Sequence, residues 1–218
     1  MILESKDHNL FICLNILNNC LKMLNKTEKK IMELFYKRRE QIHLREIAKE
    51  AGMNENSAYR TINHLTEEGI LKSVRKGNMR VLSIRKGKKT SWILSLFDIE
   101  RYERLPHIRR TAIETFLSSL SEPPIFAVLF GSTADYTFRP DSDIDILIIT
   151  NNRIKTKDAE ERGEAQSSIK INSFQLIYED FKNELRKKQE PVIQSALKKG
   201  FPLINHIGYH EVINNDEE

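Results

Sequence analysis

"FAVLFGSTADYTFRPDSDIDILII", Phe126 to Ile149, holds two apolar runs around a polar hinge. The first run, Ile125 to Phe130, reads as a continuous buried strand, and the second, Ile144 to Thr150, reads as another. Between them Gly131-Ser132 forces a sharp turn and Thr133 to Tyr136 can form one turn of helix. Side chains two apart on a strand share a face, so Asp143 and Asp145 project together near the start of the second strand. Two carboxylates that close repel unless a cation lies between them. Mg²⁺ (or Mn²⁺) suits such a pair, because it takes one or two carboxylates and completes its shell with water and phosphate oxygens. Backbone amides at the Gly131-Ser132 turn, together with the Ser132 hydroxyl, are suited to those phosphates, and Ser142 stands just before the acids.

A lone Asp-x-Asp is weak evidence. With a strand, a Gly-Ser turn, a ten-residue gap and a second strand, the pattern resembles the minimal nucleotidyltransferase family, relatives of the polymerase-β superfamily. The resemblance extends from about Pro123 to Ile213, where "INSFQLIYEDFKNELRKKQEPVIQSALKKGFPLI" looks like that family's third strand and closing helices. It implies transfer of a nucleoside monophosphate, with ATP as donor, to a hydroxyl. Gly131, Ser132 and Ser142 would hold the nucleotide, and Asp143 and Asp145 would be the catalytic metal ligands. Small members of the family are often paired with a toxin whose tyrosine they modify, so the resemblance implies a partner protein of the toxin-antitoxin type as acceptor.

The chain departs from the family pattern twice. Where the family commonly has Arg-Gly after Gly-Ser-x-Ala, this chain has Asp135-Tyr136. The candidate third strand, Ile169 to Tyr178, contains no acid; its polar residues include Asn172, Ser173 and Gln175, and Glu179 and Asp180 follow only at its end. Three outcomes stay open: Glu179 or Asp180 swings in, one metal suffices, or the site binds nucleotide without efficient turnover.

Upstream, the chain reads as helical. Thr27 to Arg39 is a helix capped by Thr27 with Ile31, Leu34 and Phe35 inward, then a break at Gln41 to Leu44. Leu44 to Ala51 follows with Ile47 and Ala48 inward and Gly52 as its stop. Asn54 opens a helix over Glu55 to Glu68 whose inner face is Ala58, Ile62 and Leu65. "ILKSVRKGNMRVLSIRK" alternates apolar and basic residues about Lys76-Gly77-Asn78, the signature of a hairpin. This order resembles a winged helix-turn-helix over about Asn25 to Thr90, most closely at "LREIAKEAGMNENSAYRTINHLTEEGIL". Asn56, Ser57, Tyr59, Arg60 and Asn63 lie on the outer side of the helix over Glu55 to Glu68, able to reach bases or phosphates. Arg75, Lys76 and Arg80 on the wing would contact DNA phosphates. The charge distribution agrees: Arg60 to Lys89 holds nine Lys/Arg against Glu67 and Glu68, within a chain of net charge +4.

Two further regions complete the reading. Leu10, Leu14, Leu17, Leu21 and Leu24 make an amphipathic helix that serves either as a homodimer seam or as packing for its own domain. Residues 90–120 read as helix split at Pro106, with Ile108, Ala112, Ile113, Phe116 and Leu117 as the apolar stripe of the second half. The expected architecture is α+β and multidomain. It comprises an N-terminal helix (1–25), a winged helix-turn-helix domain (26–90), a helical connector (91–122) and an α/β nucleotidyltransferase domain with a small mixed sheet (123–218). Cys13 and Cys20 read as buried thiols of a reducing cytoplasm. No apolar run spans a bilayer and no signal sequence is legible, so no membrane partner is expected. The scattered histidines, including His206 and His210, read as surface or packing residues. Three functions remain: an enzyme that adenylylates a macromolecular, preferably protein, hydroxyl; a transcriptional regulator whose impaired transferase domain senses nucleotide or docks a partner; and a transferase positioned on nucleic acid by its winged helix.

Overall fold

A computed structural model describes residues 24–215, and the leucine stripe of 10–21 and both cysteines lie outside them. The chain divides into two compact units at the step from Phe97 to Asp98.

In the first unit, helix α1 (Lys26–Arg38) starts at a cap different from the one expected. Asn25, not Thr27, is the N-cap: its side-chain oxygen accepts from the amides of Thr27 (2.9 Å) and Glu28 (3.0 Å), and Glu28 accepts from the Asn25 amide (2.7 Å). Asn25 and Glu28 stand at the spacing that closes such a reciprocal box, so Asn25 wins over Thr27. The break at 41–44 contains a two-residue strand, β1 (Ile42–His43), too short to leave a periodicity in sequence. Helices α2 (Leu44–Glu50) and α3 (Glu55–Glu67) follow, with Asn54 capping α3 and Ala58, Ile62 and Leu65 buried. Strands β2 (Leu71–Lys76) and β3 (Met79–Ile84) form the antiparallel wing, and β1 adds to β3, giving the order β1-β3-β2. Of the two turn residues only Gly77 has positive φ (+59°), as a turn of type II′ requires at its first central position. The apolar alternation does not give the wing a buried face throughout. Leu71, Val81 and Leu82 are buried, but Val74 and Met79 nearer the tip are exposed.

Helix α4 (Lys88–Glu103) runs across the boundary, contributing Ile93, Leu94 and Phe97 to the first core, while Leu105 beyond it belongs to the second. Pro106 precedes α5 (His107–Ser119), as its missing N–H and fixed φ favour at a helix start. The buried face of α5 is Arg109, Ala112, Ile113 and Phe116; Ile108, expected inward, is exposed.

The second unit is a three-layer sandwich about one mixed sheet in the order β6-β5-β4-β7. Strand β4 (Phe126–Phe130) pairs antiparallel with β5 (Ile144–Thr150), and the five-residue helix α6 (Gly131–Asp135) lies between them in sequence. Helix α7 (Lys157–Ser167) carries the chain over to β6 (Ile171–Ile177), which runs parallel to β5. Helices α8 (Tyr178–Lys187) and α9 (Pro191–Lys199), then β7 (Phe201–Ile204) and α10 (His206–Asn215), complete the unit. Strand β7 was not foreseen; Pro202 obscures it, and proline is tolerated there because β7 is an edge strand.

Strand alternation sorts the sheet into two faces. Ala127, Leu129, Ile144, Ile146, Ile148 and Ile171 pack with Ala112, Ile113 and Phe116 of α5 and Ala159 of α7. Phe126, Val128, Phe130, Leu147 and Ile149 pack with Phe181, Leu185, Ile193, Ala196 and Tyr209 from α8, α9 and α10. Asp145 has the parity of Leu147 and Ile149, and so lies on this second face. One buried ionic cluster ties α10 into the unit. The fully buried Asp98 lies 2.6 Å from His210 Nε2 and 3.5 Å from His206 Nδ1, so the two histidines do have an acid partner, distant in sequence. Burial pushes the Asp98 carboxyl up, but the His210 ring hydrogen-bonded to it and the His206 ring beside it outweigh burial and hold the group well below the usual carboxylate range.

Candidate functional site

The turn from β4 into α6 brings Gly131 against the first residues of β5. Phe130 is paired with Asp145, and Gly131 adopts φ +68°. A Cβ on Gly131 would stand 2.4 Å from Asp145 Oδ2, so a side chain there would strain the backbone and push the Asp145 carboxylate out of place. Asp143 and Asp145 then converge on one atom of the neighbouring strand. Asn172 Nδ2 donates to Asp143 Oδ2 (3.0 Å) and to Asp145 Oδ1 (3.2 Å), in a register that sets Asp145 directly beside Asn172. Lys170 Nζ is 3.6 Å from Asp143 Oδ2. The position from which a third carboxylate would face the pair is thus taken by a neutral amide.

Glu179 and Asp180 cannot replace it. They belong to the first turn of α8, beyond the end of β6 at which Ile177 pairs with Thr150. Five residues of strand from Asn172 to Ile177 put them at the other end of the sheet, about 16 Å away. Glu179 there pairs with Lys182 at 2.8 Å.

The rim is held from below by a residue that periodicity alone did not single out. Arg109, almost wholly buried on α5, donates through Nη1 to Thr133 Oγ1 (2.8 Å) and through Nη2 to the carbonyls of Arg139 and Ser142 (both 2.9 Å). Its guanidinium also lies over the Phe138 ring, 4.1 Å from the centroid. One side chain therefore fixes both α6 and the loop that delivers the acids. Burial lowers the Arg109 pKa and the nearby Asp143 charge raises it, with burial the larger effect. Ser142 closes the same loop, its Oγ accepting from the Arg139 amide at 2.8 Å.

The Asp135-Tyr136 departure is accommodated within the unit. Asp135 pairs with Lys199 at 3.2 Å, so its charge is countered by a lysine of α9. Tyr136 takes the left-handed conformation (φ +58°), at a cost of about 1–2 kcal/mol for a residue with a Cβ. Its hydroxyl donates to the Arg101 carbonyl. Arg101 in turn donates to the carbonyls of Ala134 and Lys199, both at 2.9 Å, and covers the Phe201 ring.

Asp143 and Asp145 form a convergent, partly exposed pair that fits one hard divalent cation whose remaining ligands are water and phosphate. The donor set does not fit a second ion, because Asn172 supplies no charge and Lys170 competes for Asp143. Among the described residues no group of three or more His, Cys, Asp or Glu is placed to hold a metal. Ser132 lies partly exposed in the first turn of α6, whose amides have no intrahelical acceptor.

In the first unit, Asn56, Tyr59 and Arg60 are exposed on α3, with Ser57 and Asn63 partly so, and Arg75 and Lys76 are exposed on β2. Arg80 on β3 is engaged within the unit: it donates to Asn63 Oδ1 (2.6 Å) and Ser73 Oγ (2.7 Å), with its guanidinium 5.4 Å from the Tyr59 ring centroid. Lys76 donates to Gln41 at 3.0 Å. Arg80 and Asn63 therefore couple the wing to α3. Among the described residues no helix is long and apolar enough to cross a membrane.

Comparison with known proteins agrees with these two architectures. The family model "Polymerase beta, Nucleotidyltransferase" matches residues 112–206, and the "IclR helix-turn-helix domain" model matches residues 30–75. No curated protein matches the chain. Among solved structures, the homodimeric winged helix-turn-helix DNA-binding domain of Mb0332 from Mycobacterium bovis, described as a possible ArsR-family transcriptional regulator, is 21% identical. That match covers 46% of this chain and 88% of that one, with a TM-score of 0.33. NadR in complex with 4-hydroxyphenylacetate is 14% identical, covering 47% of this chain and 73% of that one, with a TM-score of 0.34. Likenesses at that level add nothing to the family matches and the observed topology. The chain joins a winged helix-turn-helix domain to a nucleotidyltransferase domain of the polymerase-β family.

Proposed function

We propose that this protein is a DNA-binding regulator whose nucleotidyltransferase domain holds a metal-bound nucleoside triphosphate, with ATP as the ligand to test first, rather than turning it over efficiently. The observation that carries this reading is Asn172, whose amide satisfies both Asp143 and Asp145 where a two-metal mechanism needs a third negative ligand. Asp143 and Asp145 would hold Mg²⁺ or Mn²⁺, which when bound would offset the charge of the triphosphate. Gly131 leaves the rim open to phosphate oxygens, and Ser132 offers a hydroxyl and an amide to them. Ser142 contributes by fixing the loop that presents the acids. In the winged helix, Asn56, Ser57, Tyr59 and Arg60 would face DNA, Arg75 and Lys76 would contact its phosphates, and Asn63 with Arg80 would set the angle of the wing. A cytoplasmic location and a homodimer on DNA belong to the same reading.

A second reading is transfer of AMP to a protein hydroxyl, such as that of a toxin-type partner. It is favoured by the retention of Gly131, Ser132, Asp143 and Asp145 on one rim. A single comparison separates the two. The protein is incubated with α-labelled ATP, Mg²⁺ and the product of any adjacent gene, alongside the Asp143→Ala/Asp145→Ala variant, while bound nucleotide is measured by equilibrium dialysis. The regulator reading expects nucleotide retention that the variant loses, with no covalent label. Covalent label on the partner that disappears in the variant would establish transfer instead, and equal retention by both proteins would sink the regulator reading.

A further inference from the structure

Beside the acid rim, on the same face of the sheet, a large aromatic side chain is left uncovered. On β6 the side chains alternate: Ser173 donates to Glu160 of α7 on one face, while Asn172 meets the two aspartates on the other. Phe174 has the parity of Asn172 and is 39% exposed, on the face that α8, α9 and α10 cover elsewhere. Its ring lies 5.5 Å from that of Phe130, in an edge-to-face arrangement. Phe130 belongs to β4 and Phe174 to β6, with β5 between them, and Phe130 is the direct pair of Asp145. The two rings therefore reach toward each other across β5, on the Leu147 side of Asp145. Phe130 is almost buried, so Phe174 is a rigid aromatic surface backed by a second ring and open to solvent.

We infer that Phe174, supported by Phe130, is the platform on which the base of a bound nucleotide stacks. This rests on the nucleotide-holding reading of the Asp143/Asp145 rim. The spacing fits: along the strand, Asn172 and Phe174 are about 6–7 Å apart, so a ligand whose phosphates meet the aspartates has its ring system within reach of Phe174. Every base presents a π-face, so the platform selects a planar ring over a bare phosphate chain and discriminates little among bases. The role of Phe174 is affinity for the ring.

The test measures binding of two probes to the full chain in Mg²⁺ by titration calorimetry: inorganic tripolyphosphate, and the non-hydrolysable β,γ-imido analogue of ATP. Wild type is compared with Phe174→Ala and Phe174→Tyr. Phe174→Ala should bind the ATP analogue about 5- to 150-fold more weakly, the range that loss of one base–aromatic stack produces. Its tripolyphosphate affinity should stay within twofold, and Phe174→Tyr should restore the analogue's affinity. Wild type that binds both probes equally, or a Phe174→Ala variant that keeps its nucleotide affinity or loses both probes together, overturns the platform while leaving the rim intact. Wild type that binds neither probe removes the nucleotide site itself, and the platform with it.

Discussion

On the wing, Arg75 stands exposed on a two-stranded ribbon whose tip also exposes Val74 and Met79, whereas in the second unit Arg109 is buried and spends its hydrogen bonds on Thr133, Arg139 and Ser142. The same side chain type thus serves two purposes. An exposed guanidinium retains its hydration and is available to an external anion, so it contributes little to folding and much to association. A buried one has already exchanged water for protein acceptors, and removing it strands those acceptors. The acid rim follows the same logic with the opposite sign: Asp143 and Asp145 are partly satisfied by Asn172 and Lys170 before any ligand arrives. Arg75 on the wing presents its charge to solvent, and the acid rim of the second unit holds its charge in contacts that a ligand must displace.

The contrast can be broken most forcefully at Arg109. Arg109→Leu keeps the apolar stem of α5 but removes three hydrogen bonds to Thr133, Arg139 and Ser142; among these acceptors only the Arg139 carbonyl keeps a second donor, the Ser142 amide. The variant should destabilise the second unit by about 3–5 kcal/mol. Urea denaturation followed by a probe in that unit checks this, and a loss below about 1 kcal/mol would show that the loop holds itself. A smaller effect sharpens the account of the rim. Asn172→Asp sets a third carboxylate beside the first two and should cost about 1 kcal/mol of stability without divalent metal, through like-charge repulsion. Millimolar Mg²⁺ should raise its Tm more than it raises that of wild type, because only the variant offers a fully anionic cage. Equal Mg²⁺ responses in the two proteins would mean that residue 172 does not face the metal. Least of all should the wing affect folding: Arg75→Ala/Lys76→Ala should change stability by less than about 0.5 kcal/mol. Its DNA affinity should nevertheless fall, and the slope of log K against log salt should flatten by about 1.8 for two lost phosphate contacts. An unchanged slope would take the wing out of the interface.

Much of this was legible because it is local. The stripe Ala58, Ile62, Leu65 fixes a helix by its period, and Gly69 beyond it marks the end. Gly131-Ser132 and Asp143-x-Asp145 are legible because a turn and a strand start must each use those residue types. Other features rest on contacts that periodicity does not carry. Arg109 escaped notice because a charged residue on an amphipathic helix is ordinarily placed outside, and Ile108 beside it filled the apolar stripe instead. Thr27 and Asn25 are both capping residue types, and the bond donated by the Asn25 amide to the Glu28 carboxylate singles out Asn25. Asp98 and His210 stand 112 positions apart, and no spacing rule links such a pair.

The sequence by itself determined the two families, the helices and hairpin of the first unit, strands β4, β5 and β6, the Gly-Ser turn and the paired aspartates, since each follows from short-range periodicity, turn chemistry or spacing, but it left β1, α7, β7 and α10 unread. Only the tertiary structure decided what those aspartates meet. Asn172 reaches them because a parallel crossover through α7 sets β6 beside β5 in one register, and a shift of one residue would have turned its side chain to the other face of the sheet. The missing acid could be counted in the sequence, but the amide in its place, the buried arginine beneath it and the uncovered phenylalanine beside it are consequences of strand register.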